Sequence, residues 1–167
     1  MRKTSEQAFI KAYDDFADEI FRFAVFQIGD RDKALDIMQD TFTRTWTYLE
    51  NGNEILNMRA FLYKTARNLS INDQVRHKAY SLEEMQDVSG YDPEDKHSES
   101  PEALAEHAIL LGYLSELDPS IQELITLRYM NGLAVKEIGE ILGEAPNTVS
   151  VRIHRALDDL KKKMHLS

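Results

Sequence analysis

The stretch LAVKEIGEILGEAPNTVSVRIHRAL, residues 133–157, holds two apolar repeats of helical spacing on either side of a glycine. The first repeat precedes Gly143, and the second follows it. Their members are Val135, Ile138, Ile141 and Leu142, then Val149, Ile153, Ala156 and Leu157, and the second repeat continues beyond the stretch to Leu160. Gly139 lacks a side chain where two helices would cross closely, and Asn147 is suited to cap the second helix. The stretch therefore predicts a helix-turn-helix.

The side of the second helix opposite its apolar repeat has the chemistry of a DNA reader. The predicted contacts in a major groove are Asn147, Thr148, Ser150, Val151, Arg152 and Arg155. Amides at a helix N-terminus suit a phosphate, arginine can pair with a guanine edge, and valine can meet a thymine methyl. The run Lys161-Lys162-Lys163 adds attraction to the DNA backbone. The alternative is a helical hairpin whose arginines are simply solvated.

The remainder of the chain predicts an all-α fold of two small helical domains, 1–80 and 100–167. Seven glycines and four prolines among 167 residues disfavour an all-β architecture with many tight turns. In the first domain, one helix starts at a capping box on Thr4, a second near Asp30 or Asp32, and a third near Asn57. The second of these places Leu35, Met38, Phe42, Trp46 and Leu49 on one side. The C-terminal domain predicts helices over 101–116, 119–131, 134–142 and 147–163.

An acidic, aperiodic segment separates the two domains. Residues 81–99 lose the helical repeat and contain Gly90 and Pro93, which is typical of a flexible linker. Residues 81–115 carry nine acidic residues against Lys96, a net charge of −8 out of −9 for the chain. The flanking domains are therefore close to neutral, and the overall charge does not exclude a nucleic-acid partner.

No signature of an enzyme, a metal site or a membrane protein is found in the sequence. Cysteine is absent, which excludes disulfides and thiolate metal ligands. The five histidines show no ligand spacing, and no phosphate loop or nucleophile elbow occurs. They are His77, His97, His107, His154 and His165. No apolar run approaches the ~20 residues of a membrane span. We expect a cytoplasmic protein without cofactor or metal.

Two segments of the first domain resemble a known family. Residues 32–46, DKALDIMQDTFTRTW, are similar to the pattern D-x-A-x-D-x-x-Q-[DE]-x-F-x-x-x-W of extracytoplasmic-function sigma factors, which are bacterial transcription initiation factors. Residues 59–73, RAFLYKTARNLSIND, resemble a second segment of the same family. Leu117-Asp118-Pro119, Leu127-Arg128-Tyr129 and the helix at 148–155 look like its C-terminal domain. The resemblance spans nearly the whole chain in the family's order.

The resemblance implies that the second helix docks on RNA polymerase. Its partner would be the clamp helices of the largest polymerase subunit, and the flap region of the polymerase is a further implied contact of the protein. The implied contacts are Asp36, Ile37, Gln39, Asp40, Phe42 and Arg44, an outward face backed by Leu35, Met38 and Trp46. Without the resemblance, an ordinary solvated helix face is the simpler interpretation.

The resemblance also implies that the third helix and the loop before it open the −10 promoter element. Asn68 and Asn72 lie one helical turn apart and would read an extruded base, and a helix-capping or surface role is the alternative for Asn68. The residues expected to hold phosphates are Lys64, Arg67, Arg76 and Lys78. The loop over 50–57, with Asn51 and Asn53, would enclose the base. An inhibitory anti-sigma protein is a further partner that the family implies.

Some positions depart from the family pattern. Ala134 stands where a capping Ser or Thr is usual, which weakens that helix start by about 1 kcal/mol. Ser150 and Val151 occupy positions often filled by a basic and a small polar residue. We therefore expect a distinct −35 preference and weak binding to free DNA.

The function that the resemblance implies is promoter-specific initiation by binding RNA polymerase and the −35 and −10 elements. A stand-alone helix-turn-helix regulator is the alternative, and it would need a ligand pocket or a dimer surface and a palindromic operator. A sigma-like decoy that titrates polymerase is a third hypothesis. The basic residues of the last helix argue against a decoy, which has no need of them.

Overall fold

The computed structural model describes residues 2–80 and 100–165, and the secondary structure in these ranges is helical. The helices are α1 (Arg2–Ile28), α2 (Arg31–Glu50), α3 (Met58–Tyr80), α4 (Pro101–Ser115), α5 (Pro119–Ile125), α6 (Val135–Leu142) and α7 (Pro146–His165), with a π-helical turn at Thr126–Met130. They form two compact units, α1–α3 and α4–α7. The predicted all-α fold is confirmed, and the predicted linker lies outside the described residues.

In the first unit, α1 packs against both α2 and α3 around an apolar core. The largest buried side chains are Phe23 and Tyr63, whose rings meet edge to face with centroids 5.0 Å apart. Phe42 packs in the same manner on Tyr13 of α1, at 4.9 Å. Such aromatic pairs stabilise a core beyond the apolar area that they bury.

Two of the three predicted helix starts in this unit are confirmed. Asp30 caps α2, since its side chain accepts from the Lys33 amide at 3.1 Å. The Asn57 side chain accepts from the Ala60 amide at 3.0 Å, where α3 begins. The capping box predicted at Thr4 is wrong, because α1 already begins at Arg2. Arginine and lysine are good helix formers, so the helix extends upstream of that motif.

The buried face of α2 differs from the one that its strongly apolar residues predict. Ile37, expected on the outward face, is only 8% exposed, whereas Leu35, expected inside, is 41% exposed. Phe42, which was placed both in the apolar stripe and among the docking contacts, is 3% exposed, so its place in the stripe is confirmed and its place on the outward face is wrong. Thr41 and Thr45 complete the buried stripe, and their hydroxyls donate to carbonyls one turn back at 2.7 and 2.8 Å. A threonine whose hydroxyl is satisfied within its own helix enters a core without another partner, and this shifts the buried face.

In the second unit, α4, α5 and α7 share a core of Leu114, Leu117, Ile125, Ala156 and Leu160. Asp118 caps α5 ahead of Pro119, the residue type favoured at the first helical position. After α5 the backbone hydrogen bonds span five residues and no longer four, since the Asn131 amide donates to the Thr126 carbonyl at 2.9 Å. This π turn was not predicted from the sequence.

The predicted helix-turn-helix is formed by α6 and α7. Gly143 ends α6 with φ +70°, a left-handed conformation that favours glycine. A Cβ at Gly139 would lie 2.6 Å from the Glu144 carbonyl oxygen, so the close approach predicted at this glycine is present. The predicted cap at Asn147 is wrong, because α7 starts one residue earlier at Pro146.

The start of α6 agrees with the weakness predicted at Ala134. That residue provides no side-chain cap, and the Glu137 carboxylate instead accepts from the Ala134 amide at 3.2 Å. Half of a capping box therefore remains, with the acidic partner but without the hydroxyl.

Candidate nucleic-acid and protein interfaces

The outward face of α2 is polar and acidic. Asp36, Gln39, Asp40 and Arg44 are exposed, as predicted for a protein-docking face. Arg44 pairs with Asp40 at 3.3 Å, and both side chains remain about half exposed or more, at 60% and 48%. An exposed pair of this kind is worth little, so both charges stay available to a partner. Leu35 lies one turn before Gln39 and adds an apolar contact to the face.

An exposed stripe of polar side chains runs along α3. Lys64, Asn68 and Asn72 follow each other at intervals of four residues, and all three are exposed. Two carboxamides and an ammonium on one face can meet base edges and a phosphate together. Of the other predicted phosphate contacts, Arg76 and Lys78 are exposed further along α3, and Arg67 is half-buried.

The loop between α2 and α3 combines a rigid bend with an unusually exposed apolar side chain. Gly52 has φ +84°. Asn53 donates from its side chain to the Tyr48 carbonyl at 3.0 Å, so this amide helps to shape the loop. Asn51 is exposed at the end of α2, and Leu56 is 98% exposed. The loop therefore presents one free asparagine and a leucine outward.

A half-buried polar network fixes the start of α3 against α1. The Glu19 carboxylate accepts from Arg59 Nε at 2.8 Å and from the Tyr63 hydroxyl at 2.6 Å. The Glu19 and Arg59 side chains are only 19% and 25% exposed. Burial raises the pKa of Tyr63, and the neighbouring carboxylate raises it further. Sequence reasoning missed this network, whose members lie 40 or more residues apart.

The outward face of α7 carries most of the predicted DNA contacts in exposed positions. They are Asn147, Thr148, Ser150, Val151 and Arg155. Arg152 differs, since its guanidinium donates to the carboxylate of Glu144 in the preceding turn. The two side chains are 30% and 29% exposed, and their pairing was not predicted from the sequence. Lys161, Lys162 and Lys163 are exposed on the last turns of α7.

An apolar groove of about 390 Å³ lies on the second unit, between α4, the end of α5 with the π turn, and α7. Leu110, Leu114, Ile125, Leu157 and Leu160 line it, together with Tyr129 and Met130. The last two belong to the π turn and are 55% and 42% exposed. Exposed contiguous apolar surface of this kind marks protein-docking sites. Sequence reasoning did not identify the groove, because the π turn determines which residues face it.

The described residues, 2–80 and 100–165, contain no group of three side chains that could together hold a metal ion. Among the helices of these ranges, none combines the length and the hydropathy of a membrane span.

Two sequence families match the chain. Sigma-70 region 2 matches residues 12–80, and Sigma-70 region 4 matches residues 107–160, so together they cover more than two thirds of the chain. The first match contains the α2 face, the loop and the α3 stripe. The second contains the groove and the helix-turn-helix.

Curated relatives with the same two regions cover almost the full chain. The extracytoplasmic-function sigma factor SigW of Bacillus subtilis is 28% identical, over 98% of this chain and 92% of that protein. SigL of Mycobacterium tuberculosis is 29% identical, over 94% and 89%. BldN of Streptomyces coelicolor is 30% identical over 93% of this chain, which spans 60% of the length of BldN.

Solved structures show the same fold. The sigma factor RpoE of Bartonella quintana, in complex with the anti-sigma factor NepR, superposes with a TM-score of 0.69 at 21% identity, covering 99% of both chains. CnrH, in complex with the cytosolic domain of CnrY, gives 0.68 at 20% identity, covering 97% of this chain and 90% of that one. The matches to sigma-70 regions 2 and 4, in that order along the chain, and the relatives that share both regions show that the chain belongs to the extracytoplasmic-function sigma factors of the sigma-70 family.

Proposed function

We propose that this sigma factor docks on RNA polymerase through the outward face of α2 and reads two promoter elements, with α3 at −10 and α7 at −35. One observation carries the proposal: each of the two sigma-70 regions has its own exposed face of side chains that can read bases. Asn68 and Asn72 form the first, and Thr148, Val151 and Arg155 belong to the second. A stand-alone helix-turn-helix regulator does not account for the region 2 match.

At the −35 element, α7 would lie in the major groove with its N-terminal turns against the bases. Arg155 can pair with the O6 and N7 atoms of guanine, and Val151, 51% exposed, can meet a thymine methyl. Thr148 and Ser150 can donate to bases or phosphates. This small set of contacts contains a single exposed arginine, Arg155, which supports modest affinity outside the polymerase complex.

At the −10 element, the α3 stripe would hold an unstacked strand. The carboxamides of Asn68 and Asn72 can both donate to and accept from a base edge, and Lys64 can neutralise a phosphate. The exposed side chain of Leu56 gives the loop an apolar surface for the face of an extruded base. Asn51 and Asn53 border that surface, so the loop is the part that selects which base is accepted.

Docking on polymerase would use a different surface in each unit. The acidic face of Asp36, Gln39 and Asp40 suits a basic, helical partner such as the clamp helices of the largest subunit. The apolar groove beside the π turn suits an apolar helix, and we assign it to the flap region of the polymerase. Two modest contacts on one complex combine into firm binding through effective concentration.

An anti-sigma factor is a further partner that we propose. RpoE, which shares this fold, was solved in complex with the anti-sigma factor NepR, and CnrH was solved in complex with the cytosolic domain of CnrY. Such a partner would compete for the α2 face or the groove. We place the sigma factor's action in the bacterial cytoplasm, where polymerase and promoter DNA meet, and we propose no cofactor.

The test is run-off transcription with bacterial core polymerase, this protein and a library of randomised promoters, with sequencing of the transcripts. We expect two enriched elements at a fixed spacing. Asn68→Ala should relax the −10 element, and Arg155→Ala the −35 element. Asp36→Ala with Gln39→Ala should abolish transcription from every promoter, because polymerase docking is lost.

Thr47→Ala is the matched control on α2. Thr47 is exposed, and its hydroxyl is bonded to its own helix at the Thr43 carbonyl, 3.0 Å away. This variant should transcribe like the parent protein. If no transcripts rise above those of core polymerase alone while the protein binds a palindromic DNA as a dimer, the initiation role is wrong.

A further inference from the structure

The recognition helix α7 carries an arginine that is already engaged. Arg152 donates from its guanidinium to Glu144, and the pair is about 70% shielded from solvent on each side. The second carboxylate oxygen of Glu144 is buried and has no hydrogen-bond partner among the described residues. The carboxylate is thus committed to Arg152 and has little contact with water.

The backbone around Glu144 holds this carboxylate in place. The Glu144 amide donates to the Gly139 carbonyl at 2.9 Å, and the Glu144 carbonyl lies against the bare face of Gly139. Gly143, just before it, adopts the left-handed conformation that ends α6. The side chain therefore starts from a fixed point beside the first turns of α7.

The position of Glu144 is one where DNA would bring negative charge. The first turns of a recognition helix meet phosphates, which bind arginine and backbone amides there. A carboxylate makes the same charged, hydrogen-bonded contact to arginine that a phosphate makes. Because Glu144 and Arg152 cancel each other, Arg155 is the exposed arginine left on the outward face of α7.

We propose that Glu144 acts as an internal substitute for a DNA phosphate, which withholds Arg152 from DNA that lacks the promoter sequence. The inference rests on the proposed role of α7 as the −35 reader. Because Glu144 holds Arg152 through Nη1, a duplex must compete with this carboxylate before it gains the full charge of the guanidinium. Displacing Glu144 costs free energy, and only a DNA site that also contacts Thr148, Val151 and Arg155 offsets that cost. The pair therefore increases selectivity against other DNA.

The experiment measures binding of the full chain to two fluorescent duplexes, a selected promoter and its scrambled version, over a range of salt concentrations. Glu144→Gln should bind the scrambled duplex several-fold more tightly than the parent protein does. Its slope of log K against log salt should become steeper by about 0.9, the value of one added phosphate contact. The preference for the promoter over the scrambled duplex should fall.

Glu140→Gln is the matched control, since it removes the same charge from an exposed position of α6. Its effect measures long-range electrostatics alone and should be small. Introducing Glu144→Gln into an Arg152→Gln background should then produce no more change than Glu140→Gln does. Thermal melts verify that each variant is folded. Glu144→Asp keeps the charge but shortens the reach to Arg152, so its affinity for the scrambled duplex gives a second measure of how far the carboxylate withholds the arginine.

Several outcomes would overturn the inference. Weaker binding by Glu144→Gln would mean that Glu144 supports Arg152 in DNA contact and does not withhold it. If Glu144→Gln changes DNA affinity only as much as Glu140→Gln does, or if its effect persists in the Arg152→Gln background, the loss of one negative charge explains the result without any role for the pair. Failure of the proposed function is seen separately, as absence of promoter-specific transcripts from the parent protein with core polymerase.

Discussion

At the scale of single residues, Gly139 shows how little room the turn of the DNA-reading unit leaves. A methyl group there would lie 2.6 Å from a backbone oxygen, and backbone cannot move aside as the end of a side chain can. We expect Gly139→Ala to destabilise the second unit by about 1–3 kcal/mol, the usual cost of overpacking. Urea denaturation of the full chain measures the change.

Gly112→Ala is the control for this prediction. Gly112 lies within α4, and a Cβ there would meet nothing within 4 Å. Alanine should therefore stabilise the helix, by about 0.5–1 kcal/mol. If the two alanine variants shift stability in the same direction, the tight turn at Gly139 is not as described.

Tyr63 predicts how the stability of the first unit depends on alkaline pH. Its side chain is fully buried, and burial raises its pKa above the ordinary value of 10.0. The folded state thus keeps the phenol proton at a pH where the unfolded chain releases it. The stability is complete below the unfolded pKa and is lost as pH rises above it. The loss should begin near pH 10.

Thermal unfolding of the parent protein and Tyr63→Phe between about pH 8 and pH 11 tests this. At pH 8 the variant should be less stable by about 1–3 kcal/mol, because Glu19 loses a hydrogen bond. As pH rises, the difference between the two proteins should shrink. If the stability of the two proteins falls in parallel as pH rises, lysines and other groups cause the loss of stability at alkaline pH.

At the scale of helices, most of the fold could be predicted from capping residues and breakers. Asp30, Asn57 and Asp118 mark helix starts through side-chain geometry that is local in sequence, and Gly143 marks an end. The start of α7 was missed by one residue because Pro146 provides the first helical position. Local chemistry determines such boundaries, so the sequence contains them.

The buried face of α2 could not be predicted by ranking residues on hydropathy. Thr41 and Thr45 are polar by composition, but both are 0% exposed, and their hydroxyls bond within the helix. The exposed face of the candidate site could be predicted for Asp36 and Gln39. The Glu144–Arg152 pair and the Glu19 network could not, because they depend on tertiary approach between elements.

The threonines make a prediction at this scale. In Thr45→Val the methyl groups that fill the core remain, and the carbonyl left behind keeps its helical bond, so the cost should stay below about 1 kcal/mol. Thr45→Ser keeps the hydroxyl but removes a buried methyl, which should cost about 1 kcal/mol or more. Urea denaturation followed by Trp46 fluorescence measures both. A reversed order would show that the hydroxyl, and not the methyl, carries the interaction.

At the scale of the whole molecule, each unit has its own core, and the two cores share no residue. We therefore expect the units to unfold as separate cooperative transitions. The protein contains one tryptophan, Trp46, which packs on Phe9 of the first unit at 5.2 Å between ring centroids. Its fluorescence thus reports on the first unit alone, whereas far-ultraviolet circular dichroism reports on both.

The two probes make the prediction testable in the full chain. Gly139→Ala should shift part of the dichroism transition to lower urea and leave the Trp46 transition unchanged. Thr45→Ser should shift the Trp46 transition. Equal shifts of both probes in either variant would show that the units unfold together as one cooperative system.

The π turn at Thr126–Met130 has a consequence for insertions and deletions. It contains one residue more per turn than the α-helix that leads into it, and each residue of an α-helix adds about 100° of rotation. A shortening of this turn by one residue would restore an unbroken helix and swing Tyr129 and Met130 off the rim of the groove. The number of residues in this turn therefore matters more for the groove than their identity. We expect substitutions here to be tolerated far better than single-residue deletions.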